Sequence, residues 1–110
     1  DQLMYYRSEH PVLSKMFRKT EQQILKNPDK LFAAENAFDY ATDVLNGRFI
    51  EAEPLMLLDP FMTYSYLTMI IKGRWPEGEQ MLNKYPEYSK ITKEYIKSFN
   101  KTKKRLHSQK

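Results

Sequence analysis

Apolar residues recur at helical spacing in three stretches of the chain, each following a proline. After Pro28 the stripe is Leu31, Ala34, Phe38, Ala41 and Leu45. After Pro60 it is Thr63, Tyr66, Leu67, Ile70 and Ile71, and after Pro86 it is Tyr88, Ile91, Thr92, Tyr95 and Phe99. Steps of three and four residues place each set on one helix face. Shorter stripes lie between: Phe49, Ala52, Met56, then Trp75, Gly78, Leu82, with Phe17, Thr20, Ile24 upstream. Each runs large, small, medium at i, i+3, i+7, and the small middle residue lets a neighbouring helix come close beneath the ring. No stretch alternates with period two, so no sheet is expected. The first 16 residues predict a short helix around Leu3–Arg7, with Pro11 opening the helix that holds Phe17.

These stripes belong to a repeat. Residues 47–60 (GRFIEAEPLMLLDP) and 73–86 (GRWPEGEQMLNKYP) match at an offset of 26. Gly47, Arg48, Phe49, Glu51, Glu53 and Pro60 fall on Gly73, Arg74, Trp75, Glu77, Glu79 and Pro86. Upstream of the motif, Tyr40 falls on Tyr66. A degenerate third copy at 17–28 keeps Phe17, Glu21, Ile24 and Pro28 but has Lys15-Met16 in place of Gly-Arg. Gly47 and Gly73 follow long helical stretches, where a capping glycine takes positive φ. Glu51 and Glu77 fall in the first turn of the following short helix, at the positive end of its dipole. Prolines 28, 60 and 86 end a short helix or open the next long one. The expected fold is all-α: small stacked helix-pair repeats, forming a mini-solenoid or compact helical bundle over residues 1–99, with a basic tail at 100–110.

The GR-aromatic-x-E-x-E motif with its later proline, on Arg48, Phe49, Glu51, Glu53 and on Arg74, Trp75, Pro76, Glu77, Glu79, resembles short tandem repeats in proteins of bacteriophages and other viruses. The resemblance covers residues 38–86 well and 17–28 in part. Ile50 departs from the expected proline, and Gln80 stands where the first copy has Pro54. It implies a helical repeat of viral origin and no reaction.

Composition narrows the chemistry. The chain has 110 residues, one modest core by length, and no cysteine, which excludes disulfides, thiolate metal sites and a cysteine nucleophile. No apolar run approaches the ~20 residues of a membrane span, and the opening DQLMYYRSEH does not read as a signal peptide. A cytoplasmic protein is expected, in the host cytoplasm for a phage product. Residues 97–110 hold Lys97, Lys101, Lys103, Lys104, Arg105 and Lys110 without an acid, whereas the preceding 96 carry 12 Lys/Arg against 14 Asp/Glu. The net charge of +4 therefore belongs to the C-terminus.

Glu51 and Glu53, two apart on a helix, point away from each other and make a poor acid–base pair. The repeated Arg/Glu set reads instead as structural, with Arg48 bonded to Glu51 or Arg to the second Glu of its own or a neighbouring unit. His10 and His107 are isolated, and three glycines build no phosphate loop. No enzyme, metal or cofactor is expected. Phe38, Tyr66, Trp75 and Tyr95 read as core; Tyr5, Tyr6, Tyr64, Tyr85 and Tyr88 are less committed. Met4, Met16, Met62, Met69 and Met81 suit either core filling or an adaptable surface. Three functions follow, in order. The first is a non-catalytic protein–protein interaction module, a phage-encoded factor that binds and modulates or inhibits a host protein. The second is a nucleic-acid accessory protein using Lys101, Lys103, Lys104 and Arg105. The third is a small self-assembling structural protein.

Overall fold

The computed structural model describes residues 11–108, with side chains over 15–99. The expected helix at Leu3–Arg7, with Met4, Tyr5, Tyr6 and His10, lies outside the described residues. Among those described there is no strand. Six α-helices follow in order: α1 Pro11–Leu25, α2 Lys30–Tyr40, α3 Glu53–Met56, α4 Pro60–Tyr66, α5 Pro76–Leu82 and α6 Pro86–Ser108. Each helix packs on its successor, and the long helices also stack α2 on α4 and α4 on α6. Contacts between near neighbours in the chain are what a small helical solenoid requires. The result is a slab 47 × 38 × 17 Å.

Local chemistry sets the helix starts. Asp29 and Asp59 cap α2 and α4, accepting from the Phe32 N–H at 3.1 Å and the Met62 N–H at 2.9 Å. Pro60, Pro76 and Pro86 occupy first-turn positions, where a missing N–H costs nothing. Pro28 stands just before its capping aspartate and opens no helix. The first short helix is broken into a 3₁₀ turn at Ile50–Ala52 followed by α3, whereas α5 runs uninterrupted from Pro76. Pro54 has no N–H to donate back to the Ile50 carbonyl, and so interrupts the ladder there.

Both long helices end alike. The α-helical ladder widens to a π turn at Ala41–Leu45 after α2 and at Leu67–Ile71 after α4, and one left-handed residue follows. That residue is not the expected glycine. Positive φ belongs to Asn46 (50°) and Lys72 (55°), and neither Gly47 nor Gly73 has it. The widened ladder closes with the Lys72 N–H on the Leu67 carbonyl at 2.8 Å, so the turn-making position arrives one residue early. A Cβ at Gly73 would meet only the Ile71 carbonyl at 3.8 Å, an ordinary contact. Gly73→Ala is thus expected to leave the urea midpoint unchanged or raise stability by up to about 1 kcal/mol. Lys72→Val, forcing a β-branched residue to positive φ, should lower it by about 1 kcal/mol or more.

The short-helix stripes Phe49, Ala52, Met56 and Trp75, Gly78, Leu82 are buried throughout. In the upstream copy Phe17 and Ile24 are half-buried, but Thr20 is exposed, because it lies on the outer side of a terminal helix. The buried face of α2 is Ala33, Ala34, Ala37 and Tyr40, continued by Ala41 and Leu45 of the π turn, so Ala34, Ala41 and Leu45 of the expected stripe are in the core. Its alanines admit close neighbours, while Leu31 is left exposed and Phe38 half-buried at the edge. Helix α6 runs unbroken past Phe99 to Ser108, so the expected boundary at 99/100 falls inside one helix. Its last turns are rich in lysine and free of Gly and Pro, which sustains a helix beyond the apolar stripe.

Candidate functional site

Within each strong repeat unit the motif arginine and the second glutamate form a polar latch, the glutamates buried and the Arg48 and Arg74 side chains 41% and 50% exposed. The Arg48 guanidinium donates twice to Glu53, Nε to Oε2 and Nη2 to Oε1, both at 2.7 Å. Arg74 does the same to Glu79, with Nη2 to Oε1 at 2.8 Å. The partner is therefore the second glutamate of the same unit. Glu51 and Glu77 remain exposed in the first helical turns. Pro60 and Pro86 act only as helix openers.

A tyrosine from the following long helix completes the Arg48–Glu53 latch. Tyr66 Oη accepts from the Phe49 N–H and donates to Glu53 Oε2, both at 2.8 Å. Tyr40 donates to Glu21 Oε2 at 2.8 Å, which shows that the degenerate copy keeps its buried carboxylate in the same role. The rings repeat as well: Tyr40 lies on Phe49 and Tyr66 on Trp75, each pair with centroids 5.3 Å apart. The signal for these hydroxyls was the alignment of Tyr40 with Tyr66 at the same offset as the motif.

The third step of the series differs. Twenty-six residues after Tyr66 stands Thr92, buried, its hydroxyl without a hydrogen-bond partner. Glu79 instead accepts the Trp75 N–H directly at 2.7 Å, and Tyr95 donates to the Gly73 carbonyl at 3.1 Å. An unmatched buried hydroxyl costs stability. Thr92→Val, of equal shape, is expected to raise unfolding free energy by about 1 kcal/mol in urea titration.

Electrostatics follow the geometry. The Arg74 bonds hold the Glu79 carboxyl below the usual carboxylate range, against the opposing effect of burial. The unfolded chain then binds the proton more readily than the native one, so stability rises with pH through this range. The contribution is complete above about pH 4.3, the ordinary glutamate value, and is lost as pH falls through the lowered native value. Glu79→Gln is expected to flatten that acid limb in pH-dependent unfolding. Burial, reinforced by Glu53, pushes the Tyr66 hydroxyl far up, so it stays a donor.

This constellation ties neighbouring segments of the chain together. Among the described residues no group of three His, Cys, Asp or Glu is placed to hold a metal, and no helix is long and apolar enough to cross a membrane. The accessible features lie elsewhere. Between α2 and α4 runs an open groove of about 380 Å³, lined by Phe38, Phe61, Met62, Met69 and the acidic pair Glu35 and Asp39. Phe61 is 64% exposed and Met69 58%. Phe61, Ser65 and Met69, at i, i+4, i+8, form one wall. The sequence signal was an α4 stretch, FMTYSYLTMII, with apolar residues on more than one face. A second cleft, of about 400 Å³, lies beside the start of α6 and is lined by lysines. Lys101, Lys103, Lys104 and Arg105 fall within α6, and their side chains lie outside those described.

No family model, curated protein or solved structure matches the chain.

Proposed function

We propose that the protein is a non-catalytic protein–protein interaction module whose docking site is the α2/α4 groove. The observation that carries this reading is Phe61 and Met69, both exposed on one wall of the groove with Ser65 between them, and the two carboxylates that line it with them. Large apolar side chains are costly to leave in water in one patch, and such patches mark docking surfaces. Glu35 and Asp39 select the partner's chemistry: an amphipathic helix with an apolar face and a flanking Lys or Arg, laid into the groove. The motif resemblance favours a cytoplasmic host protein as the source of that helix, with the module modulating or inhibiting it. The latches serve this role by fastening α2 to α1 through Tyr40 and α4 to α3 through Tyr66.

A photo-crosslinking residue at position 65, on the groove wall, tests the proposal with the full chain in bacterial lysate. One crosslinked protein species is expected, lost when Phe61→Asp and Met69→Asp are combined. Both residues are exposed, so circular dichroism should be unchanged by the pair. Crosslinks that are absent, or that persist in the double variant, overturn the groove as the docking site.

A further inference from the structure

On a face separate from the groove, α6 presents Lys90, Lys93 and Lys97 at i, i+3 and i+7, lining the second cleft together with Asn83 and Ser89. These steps place the ammonium groups on one side of the helix, about 4.5 and 6 Å apart along its axis. Among the described residues none of the three is in an ion pair; the pairs found there are Arg48–Glu53 and Arg74–Glu79. Ser89 Oγ donates to Asn83 Oδ1 at 3.1 Å, which orients the Asn83 amide and leaves its N–H groups to offer a ligand. Glu94 is the one carboxylate in the lining, and no acid follows it in the sequence. Lys101 and Lys104 continue the same register in the same helix, a lysine series about 21 Å long.

We infer that this edge of α6 binds the phosphate backbone of a single-stranded nucleic acid, which enters at the Asn83–Ser89 cleft and runs along Lys90, Lys93 and Lys97. Lysines on flexible stems suit a row of phosphates, which they meet as point charges. Tyr85, 40% exposed and set between Asn83 and Pro86, supplies a ring on which an unpaired base can stack at the cleft end. It packs against Tyr88 in a T-shaped pair, with centroids 6.5 Å apart, which steadies it. Base stacking there requires a single strand. A lipid surface fits less well, because Tyr88 and Tyr95 on the opposite side of α6 are packed against the body and are not available for insertion. The polyanion contact expected at Lys101, Lys103, Lys104 and Arg105 is thereby extended back onto the folded domain.

Fluorescence anisotropy of a labelled oligo-dT strand with the full chain tests the inference. Binding is expected to weaken steeply between about 0.05 and 0.2 M salt, with a log–log slope near −0.7 per phosphate neutralised. The variant Lys90→Gln/Lys93→Gln/Lys97→Gln should bind at least about tenfold more weakly at low salt and reduce the slope by about 2. Glu94→Gln should bind more tightly. Tyr85→Ala should weaken oligo-dT binding while leaving dextran sulfate binding unchanged, which separates base stacking from charge alone. All the substituted residues are exposed, and circular dichroism checks that each variant stays folded. Oligo-dT binding that is absent at low salt, or unaffected by the triple substitution, overturns the assignment. So does lysine-dependent binding to anionic phosphatidylserine vesicles that exceeds binding to oligo-dT.

Discussion

Gly78→Ala is expected to lower stability by about 3 kcal/mol, at the upper end for an overpacked core, although it adds a single methyl group. A Cβ at Gly78 would stand 2.7 Å from both Cδ2 and Cζ3 of Trp75 and closer still to Cε3. Carbon atoms rest at about 3.5–4.0 Å, so one of the two groups must move. The Trp75 ring has no route out: it is buried under Tyr66, and its own backbone N–H is fixed by Glu79. The first unit shows the remedy. There the same two positions are Phe49 and Ala52, both buried, a smaller ring over a larger floor. Trp75→Phe combined with Gly78→Ala should therefore recover most of the loss, although Trp75→Phe alone destabilises. A double-mutant cycle in urea, followed by far-UV circular dichroism, measures the coupling. Gly78→Ala with an unchanged midpoint, or strictly additive effects, would contradict the ring-over-glycine account.

Tyr66→Phe is expected to cost about 2–3 kcal/mol, because one hydroxyl serves two buried groups. Its removal leaves the Phe49 N–H unbonded and strips one donor from Glu53, which keeps Arg48. Tyr95→Phe, which loses a single bond to the Gly73 carbonyl from a half-buried ring, should cost clearly less. The raised pKa of Tyr66 adds a pH signature. The unfolded tyrosine ionises near pH 10 and the native one well above it, so the native state retains the proton. Its stabilisation is complete below about pH 10 and is lost as pH rises toward the native value. Tyr66→Phe should make the alkaline limb of the stability profile shallower, and an unchanged limb would show that the hydroxyl is not held in the native state.

The repeat and the all-α fold were legible because they rest on identical residue types at a constant offset. A structural Arg–Glu pairing was legible too. Glu51/Glu77 and Glu53/Glu79 both recur at that same offset, however, so the sequence left the choice of glutamate open, and the structure assigns it to Glu53 and Glu79. The left-handed positions were misplaced for a physical reason. Capping rules count from an α-helical ladder, and here the ladder widens by one residue before it ends, handing the turn to Asn46 and Lys72. The small residue at 52 and 78 was legible as a place of close approach; what approaches Gly78 is its own unit's ring, a contact that periodicity does not distinguish from one made by a neighbouring helix. The groove was hidden because Phe61 and Met69 repeat nothing elsewhere in the chain. An apolar residue on a second helix face reads the same whether a neighbour covers it or solvent does. The length of α6 was hidden because apolar period stops where packing stops, whereas a helix can run on through propensity alone.

The Tyr40–Glu21 and Tyr66–Glu53 bonds each fasten one unit to the next, whereas at the last step Thr92 stands in the tyrosine's place and only the half-buried Tyr95 bonds back, to the Gly73 carbonyl. Opening of the native state should then be directional. In a chain whose parts touch mainly their neighbours, local unfolding starts where the nearest-neighbour coupling is weakest. Amides of α6 should exchange with solvent through partial openings at lower free energy than those of α2 and α4, which are latched by Tyr40 and Tyr66. The lysine-bearing helix can thus detach and re-dock while the groove between α2 and α4 keeps its shape, so the two faces need not open together.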